Sequence, residues 1–260
     1  MKIFLASDLH LEFDGSGEPD IPPEADVIVL AGDIAVGRRA AEYALSLAES
    51  HLQKKVILIA GNHEAYHRDY WATIYTTREM FKRQRNAHFL EQESLVIDGV
   101  LFCGCTLWSG FDAYPDYSPE SAMGAAERGI ADYRLISLDR ATLTPQDTRG
   151  FYEASREWLK GELERSDVVR KVVITHFPPD PEVRNDNIPV DELSAYFQAN
   201  CRDLMRDYEP DLWLFGHNHY NHDTMIEKTR VVSNQRGYPG EMTTFQPDQL
   251  IHLDAGSRQQ

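Results

Sequence analysis

Residues 214–223 read LFGHNHYNHD. Three imidazoles, His217, His219 and His222, follow directly on an apolar run. A buried strand ending in Gly-His-x-His delivers titratable groups to one edge of a sheet. Four other apolar runs, at 3–6, 27–31, 56–60 and 172–175, end the same way. Behind them come Ser7-Asp8-Leu9-His10, then Gly32-Asp33, then Gly61-Asn62-His63-Glu64, then His176. The five runs are short, rich in Val and Ile, and apolar at odd and even positions alike. Such runs suit strands covered on both faces. Helical patterns lie between them, at 38–50, at 69–85, from a Thr144-Pro145 start to about 164, and from an Asp191 cap to about 208. Alternating strands and helices predict an α/β fold, in which ligands bind at the C-terminal ends of the strands.

The rest of the chain narrows the class. Its 260 residues are 42% apolar, enough for a substantial core. The reading is one domain over 1–260. The stretch 110–143, rich in Tyr, Pro, Asp and Ser, is read as an inserted cap or lid. Two hairpins are expected, at 94–103 around Asp98-Gly99 and at 224–233. No run is long enough to cross a membrane and the N-terminus has no secretory pattern, so a cytoplasmic protein is expected. Cys103, Cys105 and Cys201 lack disulfide spacing and are read as reduced buried thiols. A net charge of −16 disfavours nucleic acid, which is bound through phosphate neutralisation.

A lone Asp behind a strand is ordinarily a turn residue and a lone His a satisfied polar group. Five such endings at one edge are another matter, because gathering carboxylates and imidazoles there is costly without cations. Asp8 and His10 are two residues apart, as are His217 and His219, a spacing that puts both side chains on one side of an extended segment. Carboxylate, amide and imidazole without thiolate suit Mn, Fe, Zn or Co. The seven candidates Asp8, His10, Asp33, Asn62, His176, His217 and His219 exceed the needs of one ion and suit two divalent ions bridged by a carboxylate.

Taken together, Asp8-x-His10, Gly32-Asp33, Gly61-Asn62-His63-Glu64, His176 and Gly216-His217-x-His219 resemble the calcineurin-like metallophosphoesterases, in the family's order. The resemblance implies a four-layer αββα sandwich, two mixed sheets flanked by helices. It implies that Asp8, His10, Asp33 and His219 hold one metal and that Asp33, Asn62, His176 and His217 hold the other, Asp33 bridging, with Mn the first expectation. It implies that His63 is not a ligand and assists the leaving oxygen. His222 is read as a bystander.

The expected activity is hydrolysis of small phosphodiesters or phosphomonoesters by a metal-bridging hydroxide. A pyrophosphate-bond hydrolase and a non-catalytic binding scaffold of the same fold are the alternatives. Ala60 stands before Gly61 and Ile34-Ala35-Val36-Gly37 follow Asp33, so the arginines of the protein-phosphatase branch are absent. Arg236, Tyr66, His67 and Trp108 are candidates for substrate contact, with core packing the stronger reading of Trp108. Tyr114, Tyr117 and Tyr133 are further candidates in the insertion. Oligomeric state is left open.

Overall fold

The computed structural model describes residues 1–253. In chain order the elements are β1 (Lys2–Ala6), β2 (Val27–Ala31), α1 (Arg38–Ser50), β3 (Lys55–Ile59), α2 (Tyr70–Phe81), β4 (Ala87–Phe89), β5 (Glu93–Ile97) and β6 (Val100–Cys105). They continue with α3 (Pro119–Gly129), α4 (Asp132–Leu135), β7 (Ser137–Leu138), β8 (Ala141–Thr142), α5 (Pro145–Leu163) and β9 (Arg170–Thr175). The series closes with α6 (Arg202–Tyr208), β10 (Leu212–Phe215), β11 (Asp223–Ile226), β12 (Thr229–Ser233) and β13 (Leu250–His252).

Two mixed sheets carry the fold. One has the order β13-β1-β2-β3-β4 and the other β11-β12-β10-β9-β6-β5, with β7 and β8 forming a separate ribbon. Within the first, β1 to β4 are parallel. Within the second, β12, β10, β9 and β6 are parallel, and β11 and β5 close the edges antiparallel as the two expected hairpins.

The absence of alternation in the five apolar runs has a direct cause. Ile3, Leu5, Val29, Ile57 and Ile59 face Val172, Ile174, Leu212 and Leu214 across the gap between the sheets. The intervening residues, such as Phe4, Ile28, Leu30 and Leu58 or Val173, Trp213 and Phe215, pack outward under helices. Both faces of each strand are therefore core, and the layers run helix, sheet, sheet, helix. The three cysteines are free and buried in this core. No helix among the described residues is long and apolar enough to cross a membrane.

Helix ends follow local chemistry. In α5 the Thr144 hydroxyl accepts from the Asp147 N–H and the Asp147 carboxylate accepts from the Thr144 N–H, a reciprocal cap. The helix expected over 191–208 is instead two pieces. Asp191 does cap, accepting from Leu193 and Ser194 N–H, but only for a 3-10 turn at Glu192–Tyr196, and α6 begins at Arg202. Between them, the N–H groups of Ala199 and Cys201 go to the carbonyls of Pro178 and Pro179 (2.9 Å each), which removes them from any helical ladder. The 110–143 stretch holds α3, started by a Ser118 cap and Pro119, and α4.

Candidate metal centre

Parallel strands place β1, β2 and β3 of one sheet, and β9 and β10 of the other, with their C-terminal ends at a common edge. The sheets are joined there by a bridge between Ser7 and Gln235, and the Gly216 N–H donates to the His176 carbonyl (2.9 Å). Asp8, His10, Asp33, His217 and His219 all have left-handed backbones, with φ of 52°, 44°, 52°, 81° and 51°. Non-glycine residues pay for that conformation with local strain, and it persists where surrounding contacts over-determine it. Here the Asp8 N–H donates to the Gly32 carbonyl (3.0 Å), the His10 N–H to the Asp33 carbonyl (3.1 Å) and the His217 N–H to the Asp8 carboxylate (3.0 Å). The Asp8/His10 and His217/His219 pairs therefore sit on tight turns, not on the extended segments expected from their spacing.

Gly61 is small for a spatial reason. A Cβ there would collide with the Asp33 carboxylate, and the same Asp33 accepts from the His63 N–H (2.9 Å). Glu64 pins this crossing by accepting from the N–H groups of Asp33 (3.1 Å), Ile34 (2.8 Å) and Gly61 (2.8 Å). Burial first, and then the charge of Asp33, push Glu64 up to about 7.

The seven candidate ligands converge. Asp8, His10 and His219 form one group and Asp33, His176 and His217 another, with donor atoms within 4.8 Å of one another in each; His10, Asp33 and His63 form a third. The Asp33 Oδ2 lies 3.4 Å from His176 Nε2, 3.8 Å from His63 Nε2 and 4.0 Å from His10 Nε2. His219 Nε2 is 3.3 Å from Asp8 Oδ1 and 3.3 Å from His10 Nε2. Asn62 Oδ1 meets His176 Nε2 at 3.1 Å.

Three of the imidazoles are oriented from behind. His10 Nδ1 meets Glu12 (3.1 Å), His219 Nδ1 meets Glu241 (2.6 Å) and His176 Nδ1 meets the Ala31 carbonyl (2.9 Å), so each Nε2 points inward. His217 stacks on Phe177 (3.9 Å between centroids), and its Nε2 is buried with no hydrogen-bond partner.

Charge balance without a cation falls to protons. Burial opposes a charge on His176, yet Asp33 beside it lifts it to about 10. Burial likewise opposes His219, and Asp8 lifts it to about 9. His217, desolvated and beside His176, is held well below the usual histidine range. Despite burial, His176 and His63 hold Asp33 well below the carboxylate range. The site fits divalent cations. Oxygen and imidazole donors converge without thiolate, one buried Nε2 lacks a partner, and two Nε2 atoms face each other at hydrogen-bond distance.

His63 stands at the rim of this cluster. Its ring stacks on Tyr66 (4.0 Å), its Nε2 is 3.1 Å from the Tyr238 hydroxyl, and its Nδ1 is 3.5 Å from Glu12. Burial works against its protonation, but Asp33 and then Glu12 raise its pKa. Asp132, fully buried on α4, accepts from Asn62 Nδ2 (3.0 Å), from the Tyr66 hydroxyl (2.9 Å) and from the Tyr196 hydroxyl.

A cavity of about 450 Å³ opens from this edge, lined by Tyr66, Tyr114, Asp132, Tyr196 and Tyr238 among others. Of the four first candidates for substrate contact, Tyr66 lines it and three fall outside. Trp108 is 1% exposed, its Nε1–H donates to Tyr70 (3.3 Å), and its ring packs on Phe177, so it belongs to the core. His67 turns outward and is exposed, its N–H held by the Leu135 carbonyl (2.8 Å). Arg236 donates to the Gly17 carbonyl and does not line the cavity. Gln235 takes the inward position, accepting from the His219 N–H (2.7 Å), and a neighbour along an extended strand points the other way. In the insertion Tyr114 lines the cavity, whereas Tyr133 is buried against Thr148 (3.0 Å). His222 bonds the Arg184 carbonyl (3.0 Å) and joins none of the ligand groups.

Four residues at the site escaped sequence reasoning. Glu12 extends the Asp8-x-His10 alternation by one step, a usable signal. Tyr238 lies two residues beyond Arg236, in a stretch with no periodicity to mark it. Asp132 and Glu241 have no local signal.

A family model described as Calcineurin-like phosphoesterase matches residues 1–221. Comparison with curated proteins found no match. Among solved structures, a phosphopantetheinyl hydrolase from Mycobacterium tuberculosis is similar, with 21% identity, a TM-score of 0.72, and 92% of this chain and 90% of that one covered. The protein TT1561 of Thermus thermophilus is 14% identical with a TM-score of 0.48, over 90% of this chain and 88% of that one.

Proposed function

The chain belongs to the calcineurin-like phosphoesterase family, metal-dependent phosphoester hydrolases, and on that premise we propose that it hydrolyses small phosphodiesters or phosphomonoesters. Asp8, His10, Asp33 and His219 would hold one divalent cation, and Asp33, Asn62, His176 and His217 a second, with manganese the first metal to test. One observation carries this reading: the Asp33 Oδ2 lies between His176 Nε2 (3.4 Å) and His10 Nε2 (4.0 Å), as a carboxylate shared by both sets must. When bound, such a pair supplies Lewis acidity toward phosphoryl oxygens and lowers the pKa of water.

The protein's own groups do the rest. His63, with its pKa raised, lines the cavity and would serve as proton donor to a leaving oxygen. Tyr66 stacks on its ring, the Tyr238 hydroxyl meets its Nε2 (3.1 Å) and the Glu12 carboxylate stands 3.5 Å from its Nδ1, contacts that set the orientation of the ring. The cavity volume suits a small molecule. The 110–143 insertion acts as a cap, because Ile130 and Ala131 from it form cavity wall. A binding scaffold with a degraded site fits poorly, since every candidate ligand and His63 are brought together.

The test is turnover of bis-p-nitrophenyl phosphate and p-nitrophenyl phosphate with added manganese, in wild type and His63→Ala. Hydrolysis of either ester, slowed in the variant by about 10²–10⁴-fold, supports the reading. A manganese-loaded protein that hydrolyses neither ester overturns it.

A further inference from the structure

The two halves of the cavity differ in chemistry. The half at the ligand edge is polar, with Asp33, Asn62, His63, His217 and His219. The rest of the lining is walled by Ile130, which follows α3, and by Ile188, Val190 and Leu193, with Phe197 reaching back to His217 (5.4 Å between ring centroids). The two wall segments touch, since Leu193 packs against Gly129 at the end of α3. Ile188 is 58% exposed and Val190 40% exposed. Exposed apolar side chains in contact with a catalytic cleft mark ligand surface.

Charge on the lining points the same way. Asp33, Asp132, Asp191 and Glu241 are on it, while Arg184 is its one arginine or lysine among the described residues. Arg184 is committed, to Asp186 (3.0 Å) and to the Ile188 carbonyl (3.1 Å). Away from the ligand edge the one cation is already paired, and Asp191, the carboxylate on that side, would repel a second phosphate. Other polar groups on the lining, such as Tyr114, Asn185, Ser194 and Gln198, are neutral.

From this we infer that the substrate carries a single phosphate joined to an uncharged, largely apolar arm several carbons long, which lies along Ile130, Ile188, Val190, Leu193 and Phe197. The inference rests on the phosphoester reading and narrows it, away from nucleoside di- and triphosphates.

The probes are n-alkylphosphonates, methyl through hexyl, whose carbon–phosphorus bond resists hydrolysis. Inhibition of bis-p-nitrophenyl phosphate turnover and calorimetric binding are both read on the manganese-loaded enzyme. The inhibition constant should fall about fourfold per added methylene. Adenosine diphosphate should inhibit no better than methylphosphonate. Ile188→Glu, and independently Val190→Asp, should raise the hexyl-to-methyl ratio of inhibition constants about tenfold, both positions being exposed enough to accept charge without loss of fold. Turnover with inhibition constants independent of chain length, or adenosine diphosphate binding more tightly than hexylphosphonate, overturns the apolar-arm inference alone. No turnover and no phosphonate binding overturn both it and the phosphoester reading.

Discussion

Asp132→Asn replaces one oxygen of a buried carboxylate with NH₂ and keeps its shape. In the native protein Oδ1 receives Asn62 Nδ2–H and the Tyr66 hydroxyl, and Oδ2 receives the Tyr196 hydroxyl. All three groups donate to the carboxylate, so an NH₂ in place of Oδ2 makes the Tyr196 hydroxyl turn round and accept, leaving its own O–H without that acceptor, and every remaining bond loses its charge assistance. An unsatisfied buried donor costs about 1–3 kcal/mol. A loss near 2 kcal/mol in a chain of this size should lower Tm by about 4–8 °C. The functional loss should be distinct. Asp132 holds the Asn62 amide with Oδ1 toward His176, and releasing it frees the amide to turn its NH₂ into the ligand cluster. Loss of such support typically costs about 10–100-fold in metal affinity or activity. Stopped-flow or steady-state assays should show kcat falling by that factor with KM within about threefold, and calorimetry should show weakened divalent-metal binding. A variant that melts lower but keeps kcat and metal affinity within about twofold would refute the positioning role and leave Asp132 as core only.

Other outcomes follow from the same geometry. Tyr238→Phe removes the hydroxyl 3.1 Å from His63 Nε2, and steady-state kinetics should show kcat reduced about tenfold or more, the worth of one hydrogen bond to a charged group; an unchanged kcat would argue against it. Glu91, buried and accepting from Thr106, is pushed from 4.5 up to about 7 chiefly by desolvation. Its folded-state pKa is raised, so its neutral form adds stability below about pH 4.5 that is lost as pH rises through 7, up to about 3 kcal/mol. Glu91→Gln should flatten that part of the Tm–pH curve between pH 5 and 8, and an unaltered curve would count against the assignment. His176 and His219, raised to about 10 and about 9, would have to give up protons to serve as the proposed ligands. Calorimetry in buffers of different ionisation enthalpy should detect proton release at pH 7, and apparent affinity should rise with pH toward 9. Binding without proton release would contradict the charge balance described above.

Much of this site was legible in the sequence because its chemistry is local to strand ends. A run apolar on both faces followed by Asp, Asn or His is visible in one dimension, and five of them share an edge only if the strands are parallel. The cap of α5 was equally readable, since Thr144, Pro145 and Asp147 interact within one turn. What failed was what tertiary contacts decide. The helix pattern over 191–208 yielded to Pro178 and Pro179, distant residues that take its N–H groups. Arg236 carried the right charge, yet strand alternation from Gln235 turned it away from the cavity. Asp132 was invisible because its importance lies in three donors from other segments, Asn62, Tyr66 and Tyr196. The short strands β4 and β13 pair at sheet edges and carry too few residues to show a period.

On the proposed assignment Asp33 is shared between two cation sets, and the metal content of purified, fully active protein, measured by inductively coupled plasma mass spectrometry alongside Asp33→Asn, decides it. Two equivalents of divalent metal per chain in the wild type, with both reduced in the variant and turnover nearly abolished, is the predicted result. Metal-free protein that still hydrolyses an activated phosphodiester after chelation would contradict it.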